Sequence, residues 1–298
     1  MHQIRHFSLK FSLILLMAGI LMTSSSSLSA AETSLNDLQD ARPDQIVDFK
    51  QTEQGELKLH IFEPATSSKN EKRPAIVFFF GGGWVSGSPK QFYPHCQHLA
   101  DNGIVAISAE YRIKSKHDTT PFECVEDGKS AIRWVRQHAE QFNIDPDRIA
   151  AGGGSAGGHV AATTATLTKF DNPEEDNSIS SVPNALLLFN PVADTTDKGW
   201  AGGPKRLGER AAELSPLQHI NANTPPTIIF HGTGDTTVRY ENVERFQQAM
   251  EAKGLRCELH GYEGRPHGFF NYTKNKDDFA DTIEKMDDFL ISLGWLKK

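Results

Sequence analysis

Ile149-Ala-Ala-Gly-Gly-Gly-Ser155-Ala-Gly-Gly-His159 is the stretch on which the reading of this chain turns. Ile149–Ala151 is short, apolar and strand-like, and the small-residue run His159–Leu167 suits a helix. Between them stands Gly153-Gly154-Ser155-Ala156-Gly157, a G-x-S-x-G pentapeptide. A serine presented on a sharp strand-to-helix turn needs glycines beside it, because neighbouring side chains would collide there. The N-terminus of the helix that follows favours the negative charge that develops when such a serine attacks. Ser155 is therefore the candidate nucleophile.

Outward from this turn, short β-rich runs alternate with helical stretches. The runs are Ala75–Phe80, Ile104–Ala109, Ile149–Ala151, Ala185–Phe189, Thr227–His231 and Cys257–Tyr262. Their almost unbroken apolar character fits parallel strands covered on both faces. The helical stretches are amphipathic, as in Val243, Phe246 and Met250 or Phe279, Ile283, Met286 and Leu290. Ile46–Lys50 and Leu57–Phe62, around Gln54-Gly55, read as an opening antiparallel hairpin. The expectation is an α/β fold with a mostly parallel central sheet and helices on both faces, one domain over residues 45–298. The polar, Gly-rich segment from Asp194 to His219, with Trp200, Arg206 and Arg210, is too short for a lid domain and reads as a small flap.

A serine hydroxyl needs a base, and the base needs an orienting carboxylate. Sheets of this type place their ligand sites in loops beyond the carboxyl ends of the strands. Asp235 lies in such a loop after Thr227–His231, and His267 in the loop after Cys257–Tyr262. Asp194 also follows a strand and is the rival acid. Of twelve histidines, His267 is the one placed late in a loop and followed by Gly-Phe. His260 reads as a strand-face residue and His231 as a strand-end residue beside the acid loop. Directly after Ala75–Phe80 comes the triple glycine Gly81-Gly82-Gly83. Its backbone N–H groups can approach an oxyanion without interference from Cβ atoms, which makes Gly82, Gly83 and Ala156 the candidate donors.

Taken together, these motifs resemble the α/β-hydrolase superfamily. More narrowly they resemble the hormone-sensitive-lipase-like esterases and the neighbouring bacterial feruloyl and acetylxylan esterases. Glu110-Tyr111-Arg112, Asp127 and Ile132-Arg133-Trp134-Val135, leading to Asp145-Pro146-Asp147-Arg148-Ile149, carry the same likeness, which spans about residues 45 to 295. The resemblance implies an α/β-hydrolase fold and carboxylic-ester hydrolysis through an acyl-enzyme, with Ser155, Asp235 and His267 as the triad. It implies no cofactor and no metal, and a small-molecule or carbohydrate-linked ester as substrate, acetyl and feruloyl esters being the candidates. One position departs from the pattern. Phe80 stands where the family carries a histidine that braces the oxyanion loop, so packing must hold that loop here. Tyr111, Arg112 and Asp127 read as structural support, Asp127 as a dipole partner near a helix start. A serine exopeptidase of the same fold and a non-catalytic carbohydrate-binding relative are the alternatives. The first would need an additional gating domain, and the second would be expected to lose a triad member.

The N-terminal residues stand apart from this pattern. Arg5 and Lys10 precede an apolar run, Phe11–Met22, and a Ser-rich stretch ends in Leu28-Ser29-Ala30-Ala31. That layout predicts a secretory signal peptide over residues 1–31 and an extended leader over 32–44. The expected location is secreted or periplasmic, with no stable membrane anchor. The formal net charge of −7 and the lack of a basic stripe argue against nucleic acid. An oxidising compartment leaves two readings of the three cysteines: a Cys96–Cys124 bridge, or three buried free thiols. His95 and His98, three apart with no third ligand nearby, read as a solvated helix face rather than a metal site. Pro173–Asp176 reads as a surface loop.

Overall fold

The computed structural model describes residues 38–65, 72–200 and 202–297. The expected signal peptide, 1–31, and the first part of the expected leader lie outside the described residues. In chain order the main elements are β1 (Gln45–Thr52), β2 (Gly55–Phe62), β3 (Arg73–Phe79), α1 (Tyr93–Asp101), β4 (Val105–Ala109), α2 (Pro121–Gln137) and β5 (Ile144–Gly154). They continue as α3 (Ala156–Thr166), β6 (Ala185–Phe189), β7 (Thr227–Gly232), α4 (Glu241–Glu251), β8 (Cys257–Tyr262) and α5 (Lys276–Ser292).

The described strands form one eight-stranded sheet in the order β1-β2-β4-β3-β5-β6-β7-β8. β1 with β2 and β2 with β4 run antiparallel, and all other neighbours are parallel. Burial follows from position. In β3, β4 and β6 every residue after Arg73 is buried, as strands covered on both faces require. β1, at the edge, alternates half-buried with exposed residues from Gln45 to Phe49 before Lys50 turns inward, and it leaves Ile46 52% exposed.

Successive side chains of β3 point to opposite layers. Phe78 stacks on Phe92 at 4.7 Å and lies 6.0 Å from His95 of α1, whose ring also meets Phe279 of α5 at 4.8 Å. Val77 and Phe79 face the other layer, among Cys124 and Ala131 of α2, Val160 of α3, and Val243 and Phe246 of α4. The helix ends are closed by side chains. Thr120 and Glu123 form a reciprocal capping box at the start of α2, and Asn275 caps α5 through the N–H groups of Asp277 and Asp278.

Three expectations need correction. Cys96, Cys124 and Cys257 are all free and buried, so there is no Cys96–Cys124 bridge. Cys96 belongs to the layer of α1, whereas Cys124 lies on α2 across the sheet. A disulfide requires Cα atoms within about 7 Å, less than the thickness of a sheet and its flanking helices. Cys124 instead directs its thiol to the carbonyls of Arg112 and Thr120. Asp127 is not a dipole partner. It sits inside α2, fully buried, accepting from Nε and Nη2 of Arg112, the Arg112 backbone N–H and Lys50 Nζ, all at 2.8–2.9 Å. Finally, His95 and His98 do not share a solvated face. His98 pairs with Asp287 at 2.8 Å, while His95 is wholly buried among phenylalanines.

Candidate active site

β5 ends at Gly154, and Ser155 turns the chain into α3 with φ 55° and ψ −117°. That is the left-handed side of the map, which a non-glycine residue occupies only where its surroundings enforce it. The glycines on either side make the turn possible. A Cβ on Gly157 would stand 2.0 Å from the Phe79 carbonyl oxygen, and one on Gly153 would stand 2.6 Å from both that oxygen and Gly157. The Ser155 N–H bonds to the Phe189 carbonyl at 2.9 Å, locking the turn against β6.

The structure brings Ser155, His267 and Asp235 together from three loops. His267 Nε2 lies 2.9 Å from Ser155 Oγ, and its Nδ1 lies 2.6 Å from Asp235 Oδ2. With Nδ1–H donating to the carboxylate, Nε2 is left to accept the serine proton, the tautomer that a general base requires. The Asp235 side chain is fully buried, and its Oδ1 accepts the N–H groups of Thr237 and Val238 at 2.8 and 2.9 Å. Burial alone would raise the Asp235 carboxyl. Hydrogen bonds from His231 and His267 and from the Val238 N–H outweigh it and hold the group well below the usual carboxylate range. His231 is thus more than a strand-end residue: its Nε2 stands 3.2 Å from Asp235 Oδ2 and 2.8 Å from the Val238 carbonyl.

Asp194, the rival acid, is committed elsewhere. Its carboxylate accepts from the Thr196 N–H and Ser215 Oγ and pairs with Arg245 at 2.9 Å. With Thr195 Oγ1 bonded to the Ala211 carbonyl and Leu217 N–H bonded to Ala193, these contacts fasten the 194–219 segment. His260 stacks on Phe230 at 5.6 Å, in keeping with a strand-face residue.

Gly82, Gly83 and Ala156 line the same cavity as Ser155 and His267, a space of about 320 Å³. Among the described residues no acceptor takes the N–H groups of Gly82 or Gly83. Ala156 is the first residue of α3, where helix N–H groups have no partner within the helix. Gly81 is different: its N–H donates to Gln91 Oε1 at 2.6 Å. Phe80 is held by packing and by its carbonyl. Its ring stacks on Tyr111 at 4.3 Å, and Tyr111 Oη donates to the Phe80 carbonyl at 2.6 Å.

A polar chain that the motifs did not announce ties this loop to the base. Gln91 Nε2 donates to Asn271 Oδ1 at 2.9 Å, and Asn271 Nδ2 donates to the Gly268 carbonyl at 2.7 Å. Gly268 N–H in turn donates to Asn190 Oδ1 at 2.9 Å. Asn271 and Asn190 had weak signals, a polar residue just past the His-Gly-Phe motif and an Asn-Pro at a strand end. Gln91 had none. Among the described residues no group of three or more His, Cys, Asp or Glu side chains could hold a metal ion, and no helix is long and apolar enough to cross a membrane.

Comparison with known proteins matches this geometry. Residues 59–250 match the BD-FAE family and residues 208–294 the dienelactone hydrolase family. The chain is similar to the apo form of Thermogutta terrifontis esterase 2, with 47% identity and a TM-score of 0.82, covering 85% of this chain and 96% of that one. The same esterase phosphorylated by paraoxon matches with 46% identity and a TM-score of 0.81, covering 85% of this chain and 95% of that one. An acetylxylan esterase of Xylanibacter ruminicola is 27% identical over 262 residues, 83% of this chain and 49% of that protein. This chain spans about half the length of the first curated relatives it matches, 48% and 44%.

Proposed function

The chain belongs to the BD-FAE family and carries the machinery of a serine esterase, and from that premise we propose that it hydrolyses short-acyl esters of carbohydrates outside the cytoplasm. One observation carries the chemistry: the unbroken relay from Ser155 Oγ through His267 to the buried Asp235. His267 Nε2 takes the hydroxyl proton as Oγ attacks the ester carbonyl carbon. The resulting oxyanion is received by the N–H groups of Gly82, Gly83 and Ala156. Asp235 stabilises the imidazolium, which then protonates the departing alkoxide as the C–O bond breaks. Water repeats the sequence on the acyl-enzyme and releases the acid.

The cavity, about 320 Å³ and at the lower end of small-molecule sites, has room for a short acyl group beside Ser155. The likeness to an acetylxylan esterase points the same way. Export rests on the basic, apolar and small-residue order of the N-terminal residues.

The test is acetate release from acetylated xylan, alongside 4-nitrophenyl esters of increasing chain length. Wild type should release acetate and prefer the shortest acyl group, and Ser155→Ala should lose at least about four orders of magnitude in turnover while melting at the same temperature. Aryl-ester turnover without acetate release would refute the carbohydrate assignment. N-terminal sequencing of the exported protein should begin at Ala31 or Glu32, and an intact N-terminus would refute the export reading.

A further inference from the structure

Among the described residues no carboxylate lines the cavity that holds Ser155 and His267, although the chain carries a formal net charge of −7. Arg206 is, among the described residues, its one ionisable lining residue apart from His267. Arg206 lies on the short helix Gly202–Leu207 of the 194–219 segment, and its side chain is exposed at the rim. Its guanidinium lies over the oxyanion loop: a Cβ on Gly83 would stand 3.4 Å from Nη2. Trp200 lies beneath it, with the guanidinium carbon 5.9 Å from the ring centroid, within cation–π range. Among the described residues no carboxylate or carbonyl takes its N–H groups, whereas neighbouring Arg210 is bidentate to Glu213 and Arg245 is paired with Asp194.

We propose that Arg206 is an anion anchor that selects esters whose alcohol portion carries a carboxylate, as an acidic sugar does. This rests on the esterase reading above and narrows its substrate. The alcohol side follows from position. A sugar alcohol, the larger and more polar part of such an ester, extends toward the exposed rim where Arg206 stands. A guanidinium is a planar fork of donors matched to a carboxylate, and holding it against the oxyanion loop reduces the freedom lost on binding.

The experiment compares two acetyl esters that differ in one charge, 4-acetoxybenzoate and its methyl ester, with 4-nitrophenyl acetate as a neutral reference. The readout is the ratio of kcat/KM for the anionic ester to that for the neutral ester, which cancels general effects on the triad. In Arg206→Gln this ratio should fall about tenfold from wild type, the scale of one charge-assisted hydrogen bond. In Arg206→Glu it should fall further. Raising sodium chloride from 20 mM to 500 mM should lower the wild-type ratio and leave that of Arg206→Gln nearly constant. An equal ratio in wild type and both variants would overturn the inference while leaving the esterase reading intact. Failure of wild type to cleave 4-nitrophenyl acetate would overturn both.

Discussion

Lowering the pH from 7 to 5 should cost this fold about 4 kcal/mol, because two imidazoles are enclosed where they cannot take up a proton. His95 is fully buried, its ring within 6.0 Å of the ring centroids of Phe78, Phe92, Phe189, Phe270 and Phe279, and among the described residues neither nitrogen has a hydrogen-bond partner. Burial, with a smaller contribution from His98, lowers it to about 3. His159 is also fully buried, edge-on to Trp84 at 5.0 Å. Burial lowers it to about 4 against the opposing hydrogen bond to the Leu214 carbonyl. In the unfolded chain both titrate near 6.5, so between that value and about 4 the unfolded state binds protons that the folded state refuses. Their contribution is fully present above pH 6.5 and drains away as pH falls. At about 1.4 kcal/mol per pH unit and 1.5 units, each histidine costs about 2 kcal/mol at pH 5. The assay is urea unfolding at pH 7 and pH 5 at fixed ionic strength, for wild type and His95→Leu. The variant's loss should be about 2 kcal/mol smaller than that of the wild type, whatever its own stability at pH 7. A wild-type loss below about 1 kcal/mol, or an equal loss in both proteins, would refute the reasoning.

Further outcomes follow from other contacts. Asp235→Asn keeps the shape of the site but offers His267 the wrong hydrogen-bonding partner, so kcat for an aryl acetate should drop by about four orders of magnitude with KM little changed. Gln91→Ala frees the Gly81 N–H and breaks the link to Asn271. Stopped-flow acylation should slow about tenfold to a hundredfold, as expected when an oxyanion loop loses its definition, and an unchanged rate would show that the link is ornamental. Asp127→Ala removes the fully buried partner of Arg112 and Lys50 and leaves them the half-buried Glu126. Denaturant unfolding should show a loss of about 3 kcal/mol, the low end for a broken buried pair, with catalysis by the folded fraction preserved.

The parts of this molecule that the sequence discloses are those enforced by local geometry. The close approach of Gly157 to the Phe79 carbonyl leaves no choice of residue, so the nucleophile turn is visible in five letters. The apolar runs mark buried strands because both of their faces are covered, and Asp235 and His267 become visible once those strand ends are placed. What stays hidden is whatever depends on which layer a side chain joins. Cys96 and Cys124 look like neighbours along the chain, yet the sheet divides them. Lys50 and Asp127 are 77 positions apart, and Gln91 and Asn271 are 180 apart, so nothing in their local spacing announces the bond. His95 shows the same effect at short range, because helical periodicity marks a face without saying whether that face meets water or phenylalanine.

The manner in which the 194–219 segment is fastened has an evolutionary consequence. Its anchors run to Arg245 and Asn242, to itself through Thr195, Ser215 and Ala211, and to His159 of α3 through the Leu214 carbonyl, whereas the loops that present the reactive groups are bound to one another through Gln91, Asn190 and Asn271. The segment and the reactive loops are thus fastened largely by different contacts, and they meet at His159. Drift in lineage, or a library confined to exposed positions of the segment such as Arg206, leaves the hydrogen bonds of the triad untouched.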